Sequence, residues 1–299
     1  NAAVAISPVA LLALALLSMP RQAMPEADLV RQLDLYRRLA ACAPYSADAW
    51  CTPMEPAAIV AYGHELGILQ TVPHALGPVV RMPEQCAILA AYYRNNVLHA
   101  FALPSLIACA FSSQPSMRTE DVQRLAWRVY PYIAQELFLR WPEDALPAEV
   151  DRLLATFVEL GLLTRDPSGE RWHRPPTGTA EAVQLSVLAN ATLQIVERYY
   201  LAIALLLQAG PGAITQDALE SRCHLMASRM SLLYELRAPE FFDKALFRQY
   251  LDLLRERDVI AVAADGRLTY GQPLLDVAAD ARLVLSEQIR HSILQVTHA

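Results

Sequence analysis

The chain has 299 residues, of which 54% are hydrophobic and 19% are charged, and its formal net charge is -6. A chain of this length holds one large or two modest domains with a substantial core, and so high a hydrophobic share indicates a large core or a surface covered by a membrane or a partner. The negative charge disfavours broad nucleic-acid binding, which needs concentrated positive charge, but it leaves room for a local basic patch facing anionic lipid.

The first part of the chain is predicted to contain three helices and a hairpin. It starts at Asn1 rather than Met, so we expect a fragment or a processed product. The apolar start lacks a basic region and contains Pro8, so we do not expect a signal peptide. The stretch from Ser7 to Pro20 opens with a Ser-Pro pair typical of a helix start. Because it falls short of the roughly 20 residues that span a bilayer, we expect a buried or interfacial helix. An amphipathic helix from Pro25 to Cys42, a short helix from Pro56 to Leu66 and a β-hairpin in ILQTVPHALGPVVRM follow.

The pattern of a helix followed by a hairpin occurs twice more. A predicted helix at Val150 to Leu160 precedes LLTRDPSGERWHR, and a predicted helix at Ala245 to Arg257 precedes VIAVAADGRLTYG. Such helix-plus-wing units are common in small α-rich domains and also occur in winged-helix DNA-binding proteins. Because no helix rich in Lys or Arg precedes any of the three hairpins, we favour the purely structural interpretation.

Long helices are predicted over most of the remaining chain. Pro131 is expected to kink or split the first of them, and the five predicted ranges are Thr119 to Leu139, Thr179 to Gln208, Thr215 to Leu236, Pro239 to Arg257 and Leu274 to Gln295. The predicted fold is therefore mainly α, a multi-helix domain with a few short β-hairpins. We assign residues 1–299 to a single domain, with 112–118 as the place where it would subdivide.

A cluster of polar side chains interrupts the apolar helix predicted from Ala90 to Phe111. Arg94, Asn95, Asn96 and His99 lie within two turns, and the last three share one side of the helix. A helix that is apolar nearly all round is typically buried, and buried polar groups without partners cost a few kcal/mol each. We interpret the four residues as a structural or interdomain polar cluster. By residue type, the candidate carboxylate partners are Glu136, Glu197, Glu240 and Asp243.

No metal or cofactor site is predicted. The seven histidines are scattered without metal-ligand spacing, and the phosphate-loop and hydrolase motifs G-x-x-x-x-G-K and G-x-S-x-G are absent. Arg198 is expected to make a salt bridge on a helix surface, or to stack on a neighbouring aromatic ring. The five cysteines contain no C-x-x-C pair and are interpreted as reduced, buried thiols of a cytosolic protein: Cys42, Cys51, Cys86, Cys109 and Cys223.

Five segments spread over nearly the whole chain carry a family resemblance: SPVALLALALLS, YYRNNVLHAFALPSLIA, RVYPYIAQELFLRW, VERYYLAIALL and PEFFDKALFR. In this order they resemble the C-terminal third of the bacterial membrane-bound glycerol-3-phosphate 1-O-acyltransferases, the PlsB family. The resemblance implies transfer of an acyl group from acyl-carrier protein or acyl-CoA to the sn-1 hydroxyl of glycerol-3-phosphate. The family performs this step with a His that is followed five positions later by an Asp, because the neutral His takes the hydroxyl proton and the Asp orients it.

None of the seven histidines here is followed by Asp at that spacing. The resemblance therefore implies a non-catalytic C-terminal portion that follows the acyltransferase domain and has no catalytic residue of its own. The implied partners are that N-terminal domain and, through it, glycerol-3-phosphate and acyl-CoA or acyl-carrier protein. The resemblance also implies contact with lipid at the cytoplasmic face of the bacterial inner membrane, in a monotopic mode, and no nucleic-acid partner.

Alternatives remain open at this stage. Arg94 and His99 could face an interdomain cleft and hold an anionic group of substrate or lipid, and His99 could be catalytic, although no motif supports that role. The alternative function for the whole chain is a regulatory, partner-binding or membrane-binding module of the same pathway.

Overall fold

Helices make up most of the chain, which confirms the prediction of a mainly α fold. The computed structural model describes residues 3–234, 239–285 and 287–297. Within these ranges the helices are α1 (Pro8–Leu17), α2 (Glu26–Cys42), α3 (Pro56–Glu65), α4 (Ala87–Ser113), α5 (Thr119–Leu137), α6 (Leu146–Glu159), α7 (Ala180–Ala209), α8 (Gln216–Tyr234), α9 (Lys244–Glu256), α10 (Gln272–Val284) and α11 (Glu287–Thr297). The short strands are β1 (Val4–Ile6), β2 (Ala23–Pro25), β3 (Ala49–Cys51), β4 (Gln70–Val72), β5 (Val79–Arg81), β6 (Ser116–Arg118), β7 (Thr164–Arg165), β8 (Arg171–His173), β9 (Ile260–Val262) and β10 (Leu268–Tyr270).

All three predicted hairpins are present. Strands β4 and β5, β7 and β8, and β9 and β10 pair antiparallel. Two of the hairpins have a third strand, since β2 pairs with β5 and β6 pairs with β8, and β1 forms a separate parallel pair with β3. The sequence did not predict these added strands, because three residues are too few to display the alternation typical of a strand.

The chain divides into two compact units. Residues 1–127 and 137–192 form unit 1, and residues 128–136 and 193–299 form unit 2. The divisions fall inside α5 and α7. The prediction of a single domain over residues 1–299, with a subdivision near 112–118, stays a prediction.

Helix α1 lies at the centre of unit 1. The Ser7 hydroxyl caps its start by accepting a hydrogen bond from the Ala10 N–H at 3.2 Å, and every residue from Leu11 to Leu16 is fully buried. Helices α2, α3 and α4 pack around it. The helix therefore needs no polar face, and the prediction of a buried helix is confirmed.

Helix α4 is fixed to the first part of α7 by buried polar contacts within unit 1. The Ser105 hydroxyl donates to the Ala189 carbonyl at 3.0 Å and lies 2.7 Å from the Thr192 hydroxyl, and the Thr192 N–H donates to it at 3.0 Å. Among the described residues, one helical stretch, 84–113, is long and apolar enough to cross a membrane, and 78% of its most apolar window is buried inside the protein. A core helix gives the same length and composition.

Three predicted helices differ from the structure. The range from Pro239 to Arg257 is a 3-10 turn, Pro239–Phe242, followed by α9. Asp243 separates the two because its carboxylate accepts from the Ala245 N–H at 2.8 Å as the N-cap of α9, a position that Asp favours. The range from Leu274 to Gln295 is two helices, α10 and α11. The helix predicted from Thr119 to Leu139 is α5, which continues through Pro131 without splitting. For the helix predicted from Thr215 to Leu236, the predicted end, Leu236, lies outside the described residues.

Candidate functional site

The polar cluster on α4 is only half buried. Arg94 and His99 are buried, whereas Asn95 and Asn96 are exposed. The Nε and Nη2 atoms of Arg94 donate to Oδ1 of Asn95 at 3.1 and 2.9 Å. Burial lowers the pKa of Arg94 to about 10, so the guanidinium stays charged at neutral pH. The four residues do not form one buried cluster within this chain, and their role as an interdomain cluster stays a prediction.

His99 lies among aromatic side chains in unit 1. Its ring contacts the Tyr45 ring edge-on, with 5.0 Å between ring centroids, and Tyr45 in turn contacts Trp141 at 4.8 Å. The Tyr45 hydroxyl accepts from the Arg140 N–H at 3.0 Å. Burial lowers the pKa of His99, and its Nε2 atom has no hydrogen-bond partner among the described residues. A general base is normally oriented by a second polar group, so these surroundings fit a packed core histidine better than a catalytic one.

The carboxylates proposed as partners for the cluster have other surroundings. Glu136 binds Arg198, and Asp243 caps α9. The side chain of Glu240 lies outside the described residues. Glu197 is buried, and burial raises its pKa to about 8.

Unit 2 contains a buried ion pair that the sequence did not predict. The Nη2 atom of Arg198 donates to both carboxylate oxygens of Glu136, and the Tyr199 hydroxyl donates to the same carboxylate at 2.7 Å. Only 1% of Arg198 is exposed, so the expectation of a salt bridge on a helix surface is wrong. The guanidinium carbon also lies 5.7 Å from the centre of the Tyr199 ring, as the stacking alternative anticipated. The signal for burial was present in VERYYLAIALL, where Arg198 is followed by an almost entirely apolar segment.

A narrow pocket lies beside this ion pair in unit 2. Two of its tyrosines, Tyr199 and Tyr250, stack with their ring centroids 4.1 Å apart. Burial raises the pKa of both tyrosines. An ion pair completes the lining, since Nη1 of Arg128 donates to the Asp280 oxygens at 2.8 and 2.7 Å. The other lining residues are Val129, Tyr132, Val196, Tyr200, Ile203 and Val277. The described lining is mostly aromatic and aliphatic, and its carboxylate, Asp280, is paired with Arg128, so the pocket offers mainly apolar contact.

The described residues contain no group of three His, Cys, Asp or Glu side chains that could hold a metal ion. All five cysteines are free thiols. Cys109 and Cys223 are buried, Cys51 and Cys86 are partly exposed, and Cys42 is exposed, so the prediction of buried thiols is right for two of the five.

Comparison with known proteins gives a consistent result over nearly the whole chain. The family model described as "Glycerol-3-phosphate acyltransferase C-terminal region" matches residues 1–263. A glycerol-3-phosphate acyltransferase from Pseudomonas paraeruginosa (strain DSM 24068 / PA7) is 44% identical over 297 residues, which cover 99% of this chain and 35% of the relative. A protein of the same name from Xanthomonas axonopodis pv. citri (strain 306) is 40% identical over 301 residues, which cover 100% of this chain and 34% of the relative. The chain thus spans about a third of the length of the curated relatives that it matches.

Proposed function

Since the chain belongs to the family of glycerol-3-phosphate acyltransferase C-terminal regions, we propose that it is the non-catalytic C-terminal portion of a glycerol-3-phosphate 1-O-acyltransferase. The reaction would be transfer of an acyl group from acyl-CoA or acyl-carrier protein to the sn-1 hydroxyl of glycerol-3-phosphate. The observation that carries the proposal is the length relation: 99% of this chain matches a relative at 44% identity but accounts for only 35% of it.

The chemistry of the described residues supports a non-catalytic role. Acyl transfer to a hydroxyl needs a base that is free to take a proton and a group that orients it. His99 is buried against the Tyr45 ring, and its Nε2 atom has no partner among the described residues. No histidine of the chain is followed by Asp five positions later. The catalytic base would therefore be supplied by the preceding domain, and this portion would pack on that domain and stabilise it.

The test uses the full-length protein, with glycerol-3-phosphate and acyl-CoA as substrates. We expect turnover from the wild type, none after replacement of the motif His of the preceding domain by Ala, and largely retained turnover in His99→Ala. The 299-residue chain alone should show no turnover. Turnover by the isolated chain, or loss of turnover in a stably folded His99→Ala protein, would refute the non-catalytic assignment.

We further propose that the whole protein acts at the cytoplasmic face of the bacterial inner membrane as a peripheral or monotopic protein. The hydrophobic share of 54% supports this proposal, as does the resemblance to a membrane-bound family. Flotation of the full-length protein with liposomes is the test. A protein that stays at the bottom of the gradient with liposomes of every composition would contradict it.

A regulatory or partner-binding role is the second candidate. Leu225 and Leu232 lie seven residues apart on α8, hence on one face, and both are exposed. Exposed apolar side chains on one face of a helix can form part of a contact surface. Pull-down by the full-length protein, compared with a Leu225→Ser and Leu232→Ser double variant, tests this role. Equal recovery of every bound protein by both forms would exclude α8 as the contact.

A further inference from the structure

The first three turns of α4 carry a continuous exposed stripe. Its residues are Ile88, Leu89, Tyr92, Asn95 and Asn96, and positions i, i+1, i+4, i+7 and i+8 lie on one side of a helix. The exposed fractions of Ile88, Leu89 and Tyr92 are 76%, 54% and 63%. The opposite side of the same turns is buried. We call these five residues the α4 stripe.

The surroundings of the α4 stripe are largely apolar and carry few charges. Cys86, immediately before α4, donates through Sγ to the Gly67 carbonyl at 3.8 Å, which brings the start of α4 next to the end of α3. Leu66, at that end, is also exposed. The exposed charged residues near these two segments in the sequence are two acidic ones, Glu65 and Glu84, and one basic one, Arg81. The five stripe residues themselves carry no charge.

The strand at the start of the described chain lies next to the same helix. Strand β1 packs beside α4, and Ile6 lines a small pocket together with Ala100 and Phe101. Ala100 is four residues beyond Asn96, or about 6 Å along the helix axis. In the relatives, roughly two thirds of the polypeptide lies outside the part that matches this chain, and the matching family is a C-terminal region. A preceding region would therefore join this chain close to the α4 stripe.

We propose that the α4 stripe is the surface on which the preceding region of the longer polypeptide packs. This inference rests on the proposed function and names the contact that the function requires. Apolar side chains of that region would cover Ile88, Leu89 and Tyr92. Its polar groups would pair with the amide of Asn96 and with the side-chain NH2 of Asn95, whose Oδ1 accepts from Arg94. Side-chain amides need directional donors and acceptors, and binding to anionic lipid favours Lys and Arg beside the apolar face. A protein surface therefore fits the stripe better than a lipid surface.

The first experiment measures the accessibility of the stripe in the full-length protein. Leu89→Cys is labelled with a water-soluble maleimide, and peptide mass spectrometry separates its modification from that of the native cysteines. Ala264→Cys, in the exposed turn between β9 and β10, is the matched control. We expect labelling at position 89 to be slower than at position 264 by about tenfold or more, as for an amino acid reached only through local opening. Equal rates would overturn the proposal.

Lipid is distinguished in the same assay by adding vesicles of phosphatidylethanolamine and phosphatidylglycerol. Protection of Leu89→Cys without vesicles supports the protein contact, whereas protection that appears only with vesicles would assign the stripe to lipid and overturn the proposal. Acyl-transfer activity of the wild type is measured in parallel. An active protein with a freely labelled stripe refutes the inference alone, whereas an inactive wild type refutes the proposed function, whatever the labelling result.

Discussion

The ion pair between Arg198 and Glu136 allows a direct test of what an uncompensated buried charge costs in this fold. Side-chain exposure is 2% for Arg198 and 14% for Glu136. Replacing Glu136 by Gln keeps the shape of the side chain and removes its charge, so the guanidinium stays buried opposite a neutral amide. Breaking a buried pair from one side typically costs about 3–5 kcal/mol. We expect Glu136→Gln to lose about this much free energy of unfolding.

The matched variants separate charge burial from packing. The double variant Arg198→Met with Glu136→Leu replaces both charges by apolar groups, and such replacements are often neutral or stabilising. It should therefore be more stable than Glu136→Gln alone. Arg255→Gln removes a partly exposed ion pair with Asp252 on α9 and should cost less than about 1 kcal/mol.

Thermal unfolding followed by circular dichroism is the assay. A loss of about 3–5 kcal/mol lowers the Tm by roughly 10 °C for a protein of this size class. Tryptophan fluorescence is less suitable for this ion pair of unit 2, because all four tryptophans lie in unit 1: Trp50, Trp127, Trp141 and Trp172. If Glu136→Gln melts at the same temperature as Arg255→Gln, or if the double variant is as unstable as Glu136→Gln, the assignment of the cost to an uncompensated charge is wrong.

Three further changes probe other parts of the chain. The folded-state pKa of Glu197 is raised to about 8, so its contribution to stability is present below its ordinary pKa of 4.5 and is lost as the pH rises through 8. Glu197→Gln should remove this pH-dependent loss of stability, which amounts to about 1.4 kcal/mol per pH unit at most. The measurement is the urea-unfolding midpoint of wild type and variant from pH 5 to pH 8. The same change of midpoint with pH in both proteins would contradict the expectation. Ser105→Ala leaves the buried Thr192 hydroxyl without its partner and should cost about 1–3 kcal/mol in urea unfolding, whereas Ser112→Ala, which removes a hydrogen bond within α4, should cost under about 0.5 kcal/mol. Asp243→Ala should cost about 1 kcal/mol through loss of the α9 cap, with recovery in Asp243→Asn; equal stability of both variants would show that the cap contributes nothing.

The helices were predictable where local chemistry decides them. Ser7 followed by Pro8 fixes the start of α1, and Gly67 adopts the positive φ of 69° that ends the short helix before it. The hairpin of β7 and β8 has Gly169 at a φ of 75°, as its Asp-Pro-Ser-Gly turn indicates. In each case the residues that determine the structure lie within a few positions of one another.

The remaining features depend on distant partners. Strands β2 and β6 pair with segments more than 50 residues away, and three residues carry no pattern that indicates such pairing. Arg198 was predicted at a surface because its partner is 62 residues earlier in the sequence. Ile88, Leu89 and Tyr92 are as apolar as the residues on the buried side of the same turns, so the pattern could not show that they remain uncovered within this chain.

The complete burial of α1 has a consequence for synthesis of the protein. This decapeptide is made almost entirely of leucine and alanine, and it leaves the ribosome well before the helix that covers most of it. The end of α4 is translated about 100 residues later, which takes on the order of ten seconds at bacterial elongation rates. During that interval the nascent polypeptide exposes an apolar segment that is prone to aggregation, so we expect chaperones to bind it until the covering helices emerge.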